Sequence, residues 1–119
     1  MNIVRISEVP QKRHAGPLFT GDEVFAQDLA PEDCELACRV VTFGKGVRNK
    51  FHTHESSQVL IVTQGKGIVA TQTDQREVTV GDVIFFKPGE VHWHGATPDS
   101  DFSHIYLFLK KGTTRQVEE

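Results

Sequence analysis

The chain has 119 residues, 38% of them hydrophobic and 24% charged, with a formal net charge of −3. That length suits one domain able to bury its own core, and the slight acidity presents no basic face to nucleic acid or an anionic membrane. No apolar run approaches the roughly 18 residues of a membrane span, and the opening MNIVRISEVPQKRHAG lacks the apolar stretch of a signal peptide, so the expected location is the cytoplasm.

In chain order, the pattern is one of short strands and turns. A first strand segment is expected within 16–27, with DEVFAQ (22–27) its core. CELACRVVTF (34–43) is richer in Val and ends at the turn Gly44–Gly46. Its two cysteines, Cys34 and Cys38, would stand about 13 Å apart along a strand at roughly 3.3 Å per residue, too far for a disulfide; free thiols in a reducing compartment are expected. RNKFH (48–52) leads to a histidine pair. QVLIVTQ (58–64) and GIVATQT (67–73) are predicted as two strands separated by a Gly-Lys-Gly turn at 65–67. REVTV (76–80) follows the turn Asp74–Gln75. VIFFK (83–87) is apolar on both faces, which predicts a strand covered on both sides. VHWH (91–94) and FSHIYLFL (102–109) flank the polar loop 96–101, and the last residues, 111–119, read as a polar, flexible tail. No run shows a 3.6-residue period. An all-β sandwich or barrel follows, with its core at about 34–110 in a single domain spanning 1–119.

Five of the six histidines lie between 52 and 104: His52, His54, His92, His94 and His104. Side chains two apart on a strand share a face, so His52 and His54 point one way, and so do His92 and His94. Neutral imidazoles on one wall can converge on a single ion. One His-x-His pair is weak evidence. Two, each beside a strand and a glycine turn, point to a metal site, with His92 the natural third ligand.

The spacing around these pairs resembles the two motifs of the cupin family. Gly46 is followed by five residues, then His52-Thr53-His54, three residues, Gln58, six residues and Gly65. Only the family's glutamate differs, replaced by Gln58. In the second motif Gly81, Gly89 and His92 are in register, while Lys87 fills the proline slot, Pro88 comes one residue late, and Ala96 replaces the closing asparagine. The resemblance implies a cupin-type double-stranded β-helix, or jelly-roll barrel, with a metal inside it. It implies His52, His54 and His92 as ligands, with Gln58 in the glutamate's place. The segments WHGATP (93–98), GPLFTG (16–21) and SHI (103–105) are similar to those of small bacterial cupins, a group that includes manganese-dependent hydroxynitrile lyases with three His and one Gln at the metal.

Glutamate would cancel one charge of a divalent ion, whereas glutamine cancels none. Three His and a Gln therefore leave a formal +2 in a small apolar barrel, suited to polarising a carbonyl or alkoxide. Such ligands do not choose among Mn, Fe, Ni, Co and Zn; the resemblance puts manganese first. His94 and His104 fit no ligand slot and are the candidate proton carriers, His104 sharing a strand face with Phe102, Tyr106 and Phe108. Arg48 and Lys50 are expected at the barrel rim, unless a bulge turns Asn49 inward. Trp93, between two inward histidines, is expected to face outward. The function expected first is a metal-dependent lyase acting on a small hydroxyl or carbonyl compound. The alternatives are an Fe or Ni dioxygenase, or a domain that binds or senses a small ligand without turnover. Trp93 and the two apolar faces of 102–109 suggest a homodimer.

Overall fold

The structure is a computed structural model describing all residues, Met1–Glu119. After a single 3₁₀ turn, Ile6–Glu8, the elements are strands: β1 (Lys12–Arg13), β2 (Val24–Asp28), β3 (Leu36–Phe43), β4 (His52–His54), β5 (Gln58–Thr71), β6 (Gln75–Thr79), β7 (Val83–Phe86), β8 (His92–Ala96), β9 (Phe102–Leu109) and β10 (Thr114–Gln116). No helix is long and apolar enough to cross a membrane. All strand pairs are antiparallel, and β5 joins two curved sheets. Its first half lies between β7 and β9, and β9 continues the sheet to β3, β2 and β1. Its second half lies between β6 and β8, and β8 continues through β4 to β10. This is the all-β double-stranded β-helix that the sequence leads one to expect.

The two predicted strands 58–64 and 67–73 are one strand. The Gly-Lys-Gly segment bends the strand without breaking it, because partners on both sides keep its backbone paired. The bend needs glycine. Gly65 has φ +72°, and a Cβ there would lie 1.8 Å from the Asp101 carbonyl oxygen. A register shift opposite β9 between Val62 and Gln64 marks the same corner.

Three further expectations are corrected. β7 is not covered on both faces: Phe85 is 71% exposed and Val83 49% exposed, while Phe86 is buried. Its only pairing partner is β5, so it is an edge strand with one face open. The C-terminal residues are not a loose tail. Thr114–Gln116 pairs with β4 in the register Thr114↔His54 and Gln116↔His52. Beyond it, the Val117 amide donates to the Phe51 carbonyl at 2.8 Å, and Glu118 takes a two-pronged contact from Arg48 at 3.2 and 2.9 Å. Nor is there a strand across 16–23; β2 begins at Val24.

The core joins Val24, Val41, Phe43, Val62, Val78, Ala96 and Phe102 between the sheets. Each large side chain there contributes about 1.5–3 kcal/mol by leaving water. The core runs directly into the histidines, since the Phe43 ring lies 5.9 Å from those of both His94 and His104. His52, His92 and His104 are among the most deeply buried side chains of the protein. Cys34 and Cys38 are free and half-buried.

Candidate metal centre and its cavity

Strand pairing assembles the cluster. β4 is only three residues long, but its first residue, His52, stands directly opposite His92 of β8. Their rings are 4.4 Å apart, and alternation along β4 brings His54 onto the same face, 4.9 Å from His52 and 5.5 Å from His92. One ligand atom from each of the three falls within 4.8 Å of the others. Gln58, at the start of β5, is paired with Phe86 of β7, whose ring stacks on His92 at 3.9 Å. The Gln58 side chain is thereby held against the cluster, 2% exposed.

The outer ring nitrogens are taken. His52 Nδ1 donates to the Lys50 carbonyl at 2.7 Å and His92 Nδ1 to the Glu90 carbonyl at 2.8 Å. A carbonyl can only accept, so both rings carry their proton on Nδ1 and turn a bare Nε2 inward. His54 Nδ1 meets the Thr114 hydroxyl at 2.9 Å, and its Nε2 is buried with no protein partner. His92 Nε2 lies 3.1 Å from Gln58 Oε1. With Oε1 turned inward both atoms are acceptors, an arrangement that a cation among them favours; with the amide turned over, its N–H donates to the ring instead.

Burial keeps these donors neutral. It lowers His92 to about 3, helped by the nearby His52, and lowers His54 to about 4, again with His52 adding to the effect. His52 is lowered by burial, opposed by its bond to the Lys50 carbonyl. Neutral imidazoles with free Nε2 atoms are what a divalent ion requires, so the residues present fit such an ion.

His94 and His104 form a second group. His94 follows His92 by two residues on β8, yet its Nε2 faces the Asn49 side-chain amide at 3.2 Å. Asn49 Oδ1 accepts the His94 backbone N–H at 2.8 Å, so the amide nitrogen is the end that donates to the ring. His94 therefore carries its proton on Nδ1. Burial, then His104, holds it well below the usual histidine range. His104, lowered to about 4 by burial, lies 4.8 Å from His94 ring to ring and has no partner at either ring nitrogen.

A cavity of about 230 Å³ opens onto His52, His54, Gln58, His94 and Asn49. His104 is not on its wall but behind His94. Two contributors are hard to see in sequence. Thr114 lies in the polar tail, where no apolar alternation signals a strand. Asn49 turns inward as a bulge would allow, held by the close approach of residue 48 to Gly95, where a Cβ would lie 2.3 Å from that of Arg48. Arg48 stays at the rim, its guanidinium 4.5 Å over the outward Trp93 ring.

The cupin domain family profile matches residues 39–108. The chain is 37% identical, over 112 residues, to an (R)-mandelonitrile lyase from Granulicella tundricola, covering 90% of this chain and 83% of that one. It resembles the crystal structure of a cupin-like protein from Thermotoga maritima with a TM-score of 0.83 and 31% identity, over 90% of this chain and 84% of that one. The polyketide cyclase RemF from Streptomyces resistomycificus shares the fold at TM-score 0.87 and 18% identity, over 100% of this chain and 87% of that one. On its sequence, its fold and its relatives, this chain belongs to the cupin family.

Proposed function

We propose that the protein is a metal-dependent lyase that breaks a carbon–carbon bond next to a hydroxyl group, with His52, His54, Gln58 and His92 holding one divalent ion. The observation that carries this is the convergence of one ligand atom each from His52, His54 and His92 within 4.8 Å of one another, with the Gln58 amide 3.1 Å from His92 Nε2. Four neutral donors leave an ion its full charge, so when bound it supplies a Lewis acid for an oxygen that becomes negative. Manganese is our first choice, and the donors also suit Fe, Ni, Co and Zn. The relative named (R)-mandelonitrile lyase supports the lyase assignment and makes cyanohydrins the first substrates to try.

The chain's own residues then supply the proton traffic. The substrate hydroxyl proton passes to His94 Nε2, whose lone pair is held only by the long bond from Asn49. The oxygen's electron pair closes the C=O bond, the C–C bond breaks, and its pair leaves on cyanide. The proton on His94 Nε2 passes to the cyanide, giving hydrogen cyanide and a neutral ring. Burial makes the imidazolium short-lived, which favours the return of the proton. His104 acts through His94 as a positioning residue. Lining by Phe43, Leu18 and Phe108 keeps water from the leaving group. The exposed Val83 and Phe85 of β7 support pairing of two copies into a homodimer, which sedimentation would read directly.

The test is elemental analysis of the purified protein together with cleavage of (R)-mandelonitrile, followed as benzaldehyde release. Activity that disappears on chelation and returns with one equivalent of metal is expected. Metal-replete protein that cleaves neither cyanohydrins nor β-hydroxy carbonyl compounds would overturn the lyase assignment.

A further inference from the structure

The cavity has a second polar end. Besides the histidines, Gln58, Asn49, Thr114 and apolar side chains, its wall contains Arg39 and Tyr106. Arg39 is the one side chain there with a permanent charge, and no carboxylate lines the wall. The wall thus carries one cation and no anion, the partner carboxylate of Arg39 belonging to Asp28 outside it.

Arg39 and Tyr106 are paired across β3 and β9, so they stand side by side on the inner face. The guanidinium uses Nε on Asp28, whose own side chain is 66% exposed and sits outside the cavity wall. Its two terminal nitrogens donate to no carbonyl or carboxylate of the protein. The Tyr106 hydroxyl lies against the guanidinium; its pKa is raised by burial, with Arg39 opposing. A half-buried guanidinium that retains donors beyond those on Asp28 and the Tyr106 phenol matches the two oxygens of a carboxylate. From there an aromatic wall leads to the metal cluster. Tyr106 is 5.1 Å from Phe108, which stacks on His54 at 4.8 Å. A cavity of this size has room for one aromatic ring, since engineered cavities of about 150 Å³ hold benzene.

We propose that this cavity takes a small, ring-sized substrate with a carboxylate at its far end, gripped by Arg39 and Tyr106 while its hydroxyl or carbonyl lies at the histidine cluster. Which end reacts rests on the lyase assignment above; the carboxylate grip does not.

The experiment is calorimetric binding of 4-formylbenzoate and of benzaldehyde to the full-length protein with its metal. The carboxylate should bind about tenfold tighter or more, the size of effect a charge-assisted forked pair gives in a partly screened site. Arg39→Gln should bring the two ligands to parity while leaving benzaldehyde unchanged, and Tyr106→Phe should remove several-fold of the preference. Equal binding by the native protein would overturn the proposal. So would a preference that survives Arg39→Gln, which would place the carboxylate at the histidines. Should Arg39→Gln fail to fold, an unchanged preference in Tyr106→Phe also overturns it. Cyanohydrin cleavage is scored separately. A preference lost with Arg39 in a protein that cleaves nothing keeps the grip and removes the lyase; cleavage without the preference does the reverse.

Discussion

His52-Thr53-His54 and His92-Trp93-His94 are the same pattern on adjacent strands, yet they are used differently. In the first pair both rings turn a free Nε2 toward a shared centre. In the second, His92 does so while His94, on the same face, is claimed by Asn49 at Nε2 and lies against His104. Alternation decides which way a side chain points, but the partner of each ring nitrogen decides what it can do. His52 and His92 have a backbone carbonyl on Nδ1 and so present a lone pair inward. His94 also carries its proton on Nδ1, but the Asn49 amide N–H occupies its Nε2 lone pair, which is therefore not free for an ion.

The largest test of the contrast is substitution across the second pair. His92→Ala should lose the metal, and His94→Ala should keep it while turnover falls by about 10²–10⁴, the usual contribution of a general base. Elemental analysis beside single-turnover kinetics separates the two. A metal-free His94→Ala protein would break the division between ligand and proton carrier.

Acid is the next lever. In the unfolded chain histidine titrates near 6.5, but in the folded metal-free protein His92 is held at about 3 and His54 and His104 at about 4. Between those values the unfolded state binds more protons, so the stability of the metal-free protein falls as pH drops from about 6.5 toward 4. Each of these histidines contributes up to about 1.4 kcal/mol per pH unit across that window. Urea unfolding from pH 7 to 4 measures it, and a flat profile would mean that the rings titrate in the folded protein as they do in the unfolded chain.

Gln58→Glu sharpens the contrast within the first cluster. The carboxylate should hold the metal more tightly yet lower turnover by about tenfold, because it cancels charge the reaction needs. Faster turnover would show that the neutral amide matters for something other than charge. The smallest effect is expected from Thr114→Val, which removes the hydroxyl on His54 Nδ1. Metal affinity should weaken by about tenfold, as for other contacts that orient a ligand, with the fold intact by circular dichroism.

Much of the fold was legible because glycine turns and period-2 alternation are local signals. VVTF, VLIV and SHIYLF each announce a strand from their own residues. The misjudged elements depend on neighbours. β7 is as apolar as a buried strand, and only its edge position leaves Phe85 in water. Residues 58–71 look like two strands, and only pairing on both sides of Gly65 makes them one. Thr114 and Gln116 carry no hydrophobic signature, so nothing in the local pattern marks their strand or its contact with His54.

By itself the sequence determined the all-β class, the shared face of each histidine pair and the neutral Gln58 among them. These follow from residue type and from the two-residue repeat of a strand, which need no distant partner. Only the tertiary structure decided that His52 stands opposite His92, that Asn49 rather than a carbonyl meets His94, that His104 lies behind the cavity wall, and that Arg39 and Tyr106 share a chamber with the histidines. Those are contacts between residues far apart in the chain. They are settled by strand register and by the competition of buried polar atoms for partners, which no local pattern records.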